Sequence, residues 1–141
     1  EFYKTLKHLA VFRLFILVYK GEDIIGWHVG FQKGPSYYMM NTAVIESHQR
    51  NGIYTKLLEV IIKKVYDKGF TDITSSHLAS NNAVIIPKLK AGFLITGMNI
   101  EERFGVLINL KYFFNEQIKK AYLLRTGEIK PSNEMLNNKK Q

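Results

Sequence analysis

The sequence predicts an α+β fold, a mixed α/β sheet with helices packed on it, and three observations predict it. Runs of β-branched and aromatic residues at 11–19, 23–31 and 37–45 are separated by short polar, Gly-containing segments. The apolar period then changes, with Ile53, Leu57, Ile61 and Val65 repeating every fourth residue. Strand-like runs return at 70–76, 93–98 and 106–114, with one short helical stretch among them.

Taken in order, Phe2, Leu6 and Leu9 fall at helical spacing and predict the end of a truncated helix over 1–10. The chain starts at Glu1, so further sequence is expected upstream. Lys20-Gly21-Glu22 turns the first strand into an antiparallel partner, and Gly34-Pro35 introduces the third. The helix from Ile53 carries a second apolar row at Tyr54, Leu58, Ile62 and Tyr66, and Gly69 supplies its left-handed cap. Ser80-Asn81-Asn82 offers a cap for a helix over 83–91, where Pro87 predicts a later start than the apolar pattern suggests. Residues 106–114 read as a strand with an exposed sheet edge, and 115–141 as a helix through about Leu124 followed by a polar tail.

A chain of 141 residues has room for one domain, expected here over 1–141, and is long enough to bury its own core. With no cysteine there is no disulfide framework, thiolate metal site or cysteine nucleophile, which fits a reducing, cytoplasmic setting. His8, His28 and His48 share no metal-ligand spacing, so no metal is expected. The apolar run 14–19 is far shorter than the ~20 residues of a membrane span. The net charge of +8 points to an anionic partner. Lys and Arg spread from Lys4 to Lys140, rather than along one stripe, argue against nucleic acid.

The informative segment is a strand, a polar loop and a helix: Thr42 to Ile45, Glu46 to Gly52, then Ile53 onward. Gly52 at a helix start lets several unpaired backbone N–H groups converge, and such a nest binds phosphate. Gln49, Arg50, Thr55 and Lys56 stand beside it as donors. An ordinary Asn-Gly turn leading into a helix accounts for the same residues, and the P-loop spacing of nucleoside triphosphatases is absent.

Gln49-Arg50-Asn51-Gly52-Ile53-Tyr54 resembles the Q/R-x-x-G-x-G/A acyl-CoA motif of the GNAT N-acetyltransferase superfamily. Asn81, Val84, Ile85, Gly92 and Phe93 resemble that family's downstream N-x-x-A-I…G-F segment. The resemblance covers about 11–114 and implies a central, mostly antiparallel, splayed sheet, with a slot for pantetheine between 42–45 and 70–76. It implies acetyl-CoA as co-substrate, with a strand bulge freeing backbone groups of Ala43, Val44 and Ile45 for the arm. The pyrophosphate is then expected on Arg50, Asn51, Gly52, Ile53, Tyr54 and Thr55, with Gln49 beside them and Asn81 or Asn82 opposite.

Three departures stand out, one being that about ten residues precede the first hairpin where the family usually has a strand and two helices that form part of the acceptor site. Tyr54 replaces Gly or Ala, so its ring must turn from the pyrophosphate, and Lys88 stands where many members carry a tyrosine acid. An ordinary lysine is a slow acid near neutrality, and a solvated helix lysine is the plainer expectation for Lys88. His77 is the candidate base or proton relay, with a packing role as its alternative. Tyr38 and Asn41 are expected on the acceptor side, and Glu46 at the loop mouth to orient an ammonium.

The resulting expectation is acetyl transfer from acetyl-CoA to a primary amine, of a small molecule or peptide, by direct transfer in a ternary complex. The alternative is a non-catalytic acyl-CoA-binding or regulatory domain. The sheet edge expected at 106–114 offers a homodimer contact.

Overall fold

Six strands form one sheet in the order β1-β2-β3-β4-β6-β5 in the computed structural model, which describes residues 11–137. The helix end predicted over 1–10 lies outside the described residues. In chain order the elements are β1 (Arg13–Lys20), β2 (Asp23–Lys33), β3 (Ser36–Val44), a 3-10 turn (Glu46–His48), α1 (Ile53–Asp67), β4 (Asp72–Leu78), α2 (Asn82–Lys90), β5 (Leu94–Glu101), β6 (Gly105–Phe113), α3 (Glu116–Arg125) and α4 (Asn133–Asn137). All neighbours run antiparallel except β3 and β4.

The alternation in β1 sends Leu14, Ile16 and Val18 inward and leaves Phe15, Leu17 and Tyr19 exposed. On α1 the fourth-residue spacing buries Leu57, Leu58, Ile61 and Val65 against Tyr37, Met39 and Ile73. Each fully buried aliphatic side chain contributes roughly 1.5–3 kcal/mol. Gly69 (φ +83°) closes α1 through its N–H to the Tyr66 carbonyl at 2.9 Å. Asn115 caps α3, its Oδ1 accepting from the N–H groups of Gln117 at 2.9 Å and Ile118 at 3.0 Å.

Two expectations are corrected. The 106–114 segment is no edge, because β6 lies between β4 and β5 and the edges are β1 and β5. Tyr122 Oη donates to the Ile95 carbonyl, so α3 is anchored to β5. α2 does not start late. It begins at Asn82 with Pro87 inside it, and at its end Ala91 N–H donates to the Pro87 carbonyl at 3.0 Å. A proline removes one helix donor, here the one that would reach Ala83. Within the polar tail after α3 a short helix, α4, forms.

Candidate active site

β3 and β4 share only three rungs, Ser36↔Asp72, Tyr37↔Ile73 and Tyr38↔Thr74. Immediately beyond the third, the β2–β3 register jumps from Gly30↔Met39 to Val29↔Asn41, leaving Met40 as an extra residue in β3. A bulge bends and twists its strand, and β4 instead follows β6 along its whole length. The strands therefore part, and a slot opens between 39–44 and 75–78. Gly30 sits at the bulge because a Cβ there would collide with the Tyr37 ring and hydroxyl.

The pleat decides which backbone groups face the slot. Ile45 N–H is bonded to the Ile25 carbonyl at 2.9 Å, and the Ala43 carbonyl faces Gly26. By alternation, Thr42 and Val44 turn their peptide groups to the open side. Of the Ala43, Val44 and Ile45 set, only Val44 presents its backbone to the slot, and its carbonyl accepts from Gln49 Nε2 at 2.9 Å.

The loop after β3 leads to a helix start that no side chain caps. Arg50 (φ +64°) and Gly52 (φ +75°) are left-handed, a conformation that costs a non-glycine residue roughly 1–2 kcal/mol. The first bond inside α1 is Lys56 N–H to the Gly52 carbonyl at 3.0 Å, so the amides of Ile53, Tyr54 and Thr55 precede the helix ladder. A cleft of about 570 Å³ lies over them, bounded by 42–44, by His48 to Arg50 and by Ala83, Val84 and Pro87 of α2. Asn81, whose side chain makes no capping bond, also lines it; Asn82 and Asn51 do not. A groove of about 770 Å³ continues between α1 and α2, sharing Thr55 and Pro87 with the cleft. Helix-start amides of this kind hold an anion, and a slot with free strand edges holds an extended amide-bearing chain.

Lys88 is not a solvated lysine: it is 1% exposed. It stands three residues after buried Ile85, on the face of α2 turned to the sheet. Nζ donates to Ser75 Oγ at 2.8 Å and lies 2.9 Å from His77 Nε2, at the slot wall formed by β4. Its ammonium also rests 5.4 Å from the centre of the Phe93 ring. Desolvation by burial lowers the lysine to about 7. His77, only half-buried, is held down to about 4, first by desolvation and then by the Lys88 charge. The cluster therefore joins a lysine balanced near neutrality to a neutral imidazole.

A second buried base was missed in the sequence. His28 is fully buried, with Nδ1 2.7 Å from Thr42 Oγ1 and Nε2 2.7 Å from Tyr37 Oη. Burial, then the Lys88 charge, lowers it to about 4. Its place at an inward position of β2, between Gly26 and Gly30, was the available signal.

The expected acceptor-side residues are dispersed. Tyr38 lines a separate cavity of about 430 Å³ with Thr74, Ser76 and Asn109. Asn41 Oδ1 accepts from Trp27 Nε1 at 2.7 Å, and Glu46 is exposed at the start of the 3-10 turn.

The acetyltransferase (GNAT) family profile matches residues 2–93. No curated protein matches the sequence. Among solved structures, the ribosomal-protein-S18-alanine N-acetyltransferase from Escherichia coli superposes with a TM-score of 0.69 at 17% identity, covering 80% of this chain and 76% of that one. The IAA acetyltransferase from Bacillus cereus gives 0.68 at 20% identity, covering 72% and 78%. A GNAT family acetyltransferase from Elizabethkingia anophelis, solved with acetyl-CoA bound, gives 0.66 at 23% identity, covering 72% and 76%.

Proposed function

Because the chain belongs to the acetyltransferase (GNAT) family, we propose that it is an N-acetyltransferase carrying an acetyl group from acetyl-CoA to a primary amine by direct transfer in a ternary complex. The observation that carries this reading is the parting of β3 from β4 close to the uncapped start of α1, with one cleft lined by 42–44 of β3 and by that helix start. The amides of residues 53–55 and Arg50 suit the pyrophosphate, and the open edge at Thr42 and Val44 suits the pantetheine arm. Acetyl-CoA supplies the activated thioester.

For the proton, His77 and Lys88 form a two-member relay. When Lys88 is neutral, His77 Nε2–H donates to Nζ and Nδ1 is left to accept. A proton shed by the acceptor amine enters at Nδ1 while the Nε2 proton passes to Lys88, which then returns one to the departing thiolate. The C–N bond forms, the C–S bond breaks, and one proton moves from nitrogen to sulfur. A lysine near 7 suits both halves of that exchange.

Calorimetric titration of acetyl-CoA into the parent chain and Gly52→Asp tests the cofactor site. A Cβ at Gly52 meets nothing within 4 Å, and aspartate tolerates the left-handed conformation better than most residues. The substitution is expected to abolish binding while leaving the circular dichroism spectrum unchanged; equal binding by both chains would refute the site.

A non-catalytic acyl-CoA-binding domain is the second reading, and the complete burial of Lys88 favours it. It predicts cofactor binding with no release of free thiol above background for any amine offered. Small-molecule and peptide amines both remain acceptor classes to screen.

A further inference from the structure

Tyr54 departs from its motif, and its hydroxyl has no partner. It is the second residue of α1, its ring packs against the core cluster, and it lines the 570 Å³ cleft. Oη is buried and hydrogen-bonds to nothing in the chain. Among the described residues the other such atom is Asp72 Oδ1, which lies away from the cleft at the closed end of the splay. The second oxygen of that carboxylate accepts from Thr71 Oγ1 at 2.9 Å, whereas Tyr54 has no such partner. A phenol stripped of water without a partner weakens the fold unless something else satisfies it. Burial pushes the Tyr54 phenol up, so it stays a donor at every working pH.

Two polar groups along this wall are already engaged. Thr42 Oγ1 is bonded to His28, and the Val44 carbonyl to Gln49. The neighbouring parts of the wall, Val44, Val84 and Pro87, are apolar. Such surroundings fit an amide-bearing aliphatic chain better than a phosphate, for which the helix-start amides are available.

We propose that the Tyr54 hydroxyl is a ligand contact, donating a hydrogen bond to an acceptor oxygen of the pantetheine arm and fixing the arm's depth in the slot. The inference rests on the acyl-CoA reading above. It makes Tyr54 a positioning residue whose side chain does what the Gly or Ala of the motif cannot.

The test is calorimetry on the parent chain and Tyr54→Phe with two ligands, CoA and its adenosine bisphosphate half, which lacks the arm. The phenylalanine variant is expected to lose about fivefold to tenfold in CoA affinity, the worth of one net hydrogen bond, with the nucleotide half binding as before. Its melting temperature without ligand is expected to stay level or rise, because the deleted hydroxyl held nothing. Unchanged CoA affinity, an equal loss for both ligands, or a melting temperature lowered by several degrees would each overturn the proposal. A parent chain that binds neither ligand would overturn the acyl-CoA reading along with it; CoA binding left intact by Tyr54→Phe would overturn this inference alone.

Discussion

Two buried bases flank the slot, and they differ in where their hydrogen bonds lead. His28, under the β3 side, has a hydroxyl on each ring nitrogen, both at 2.7 Å, and neither bond involves a second base. Lys88, on the β4 side, bonds one hydroxyl and one further base, and that base, His77, is only half-buried. Both have protonation shifted down chiefly by desolvation. A depressed pKa therefore does not by itself mark a catalytic group. On the proposed reading His28 holds the strands and Lys88 moves a proton, because only the Lys88 cluster joins two titratable bases.

The largest effect expected from breaking that contrast is on rate. Lys88→Met should lower thiol release by about a hundredfold or more, the usual scale for a lost acid–base group, with CoA affinity retained. In the parent chain, activity should rise with pH through about 7 as Lys88 loses its proton, and Lys88→Arg should lose that limb. A rate within a fewfold of the parent in both variants would return Lys88 to the structural side of the comparison.

The next effect is on stability. His28→Leu leaves Tyr37 Oη and Thr42 Oγ1 without their partner, and should cost about 2–4 kcal/mol in urea unfolding. The sign with pH is definite. A histidine lowered to about 4 refuses a proton that the unfolded chain accepts below 6.5, so the parent loses stability as pH falls from 6.5 toward 4. The leucine variant should show a shallower acid loss, and an identical slope would remove His28 from the account.

The smallest effect lies on the alkaline side. Between about 7 and 10.5 the unfolded chain holds a proton on Lys88 that the fold releases, so stability should rise with pH there. The gain is about 1 kcal/mol from pH 7 to pH 8 by urea unfolding, and Lys88→Met should abolish it.

Much of this architecture can be read along the chain because it rests on local periodicity. The fourth-residue rows of α1 place Leu57, Leu58, Ile61 and Val65 in the core as expected. The Gly21 and Gly34 turns fix two hairpins, and Gly52, Gly69 and Gly92 are left-handed where the helix ends require it. Strand limits differ by at most three residues, since a ladder, not composition, sets where a strand stops.

What escaped the sequence is tertiary. The strand bulge that the resemblance implies at Ala43 to Ile45 falls instead at Met40, a place that shows only as two successive exposed residues, Met40 and Asn41, once β2 is alongside. The interior place of β6 depends on β5 folding back outside it. Lys88 looked solvated because α2 reverses the usual pattern, with Ile86 and Leu89 outward and a lysine inward. Its spacing from Ile85 was the clue, weakened by Pro87 between them. Of the candidate site, the loop and helix start were legible as a motif. The unpartnered phenol of Tyr54 was not, because a missing bond leaves no trace in composition.

The three-rung junction also has a mechanical meaning. It divides the sheet into two ribbons of three strands, β1 to β3 and β4 to β6, joined along a short seam with α1 lying over it. Beyond the seam the facing edges have no strand to complete them. A chain of amides laid in that gap would serve as a strand surrogate, so loading the slot is expected to stiffen the join between the ribbons.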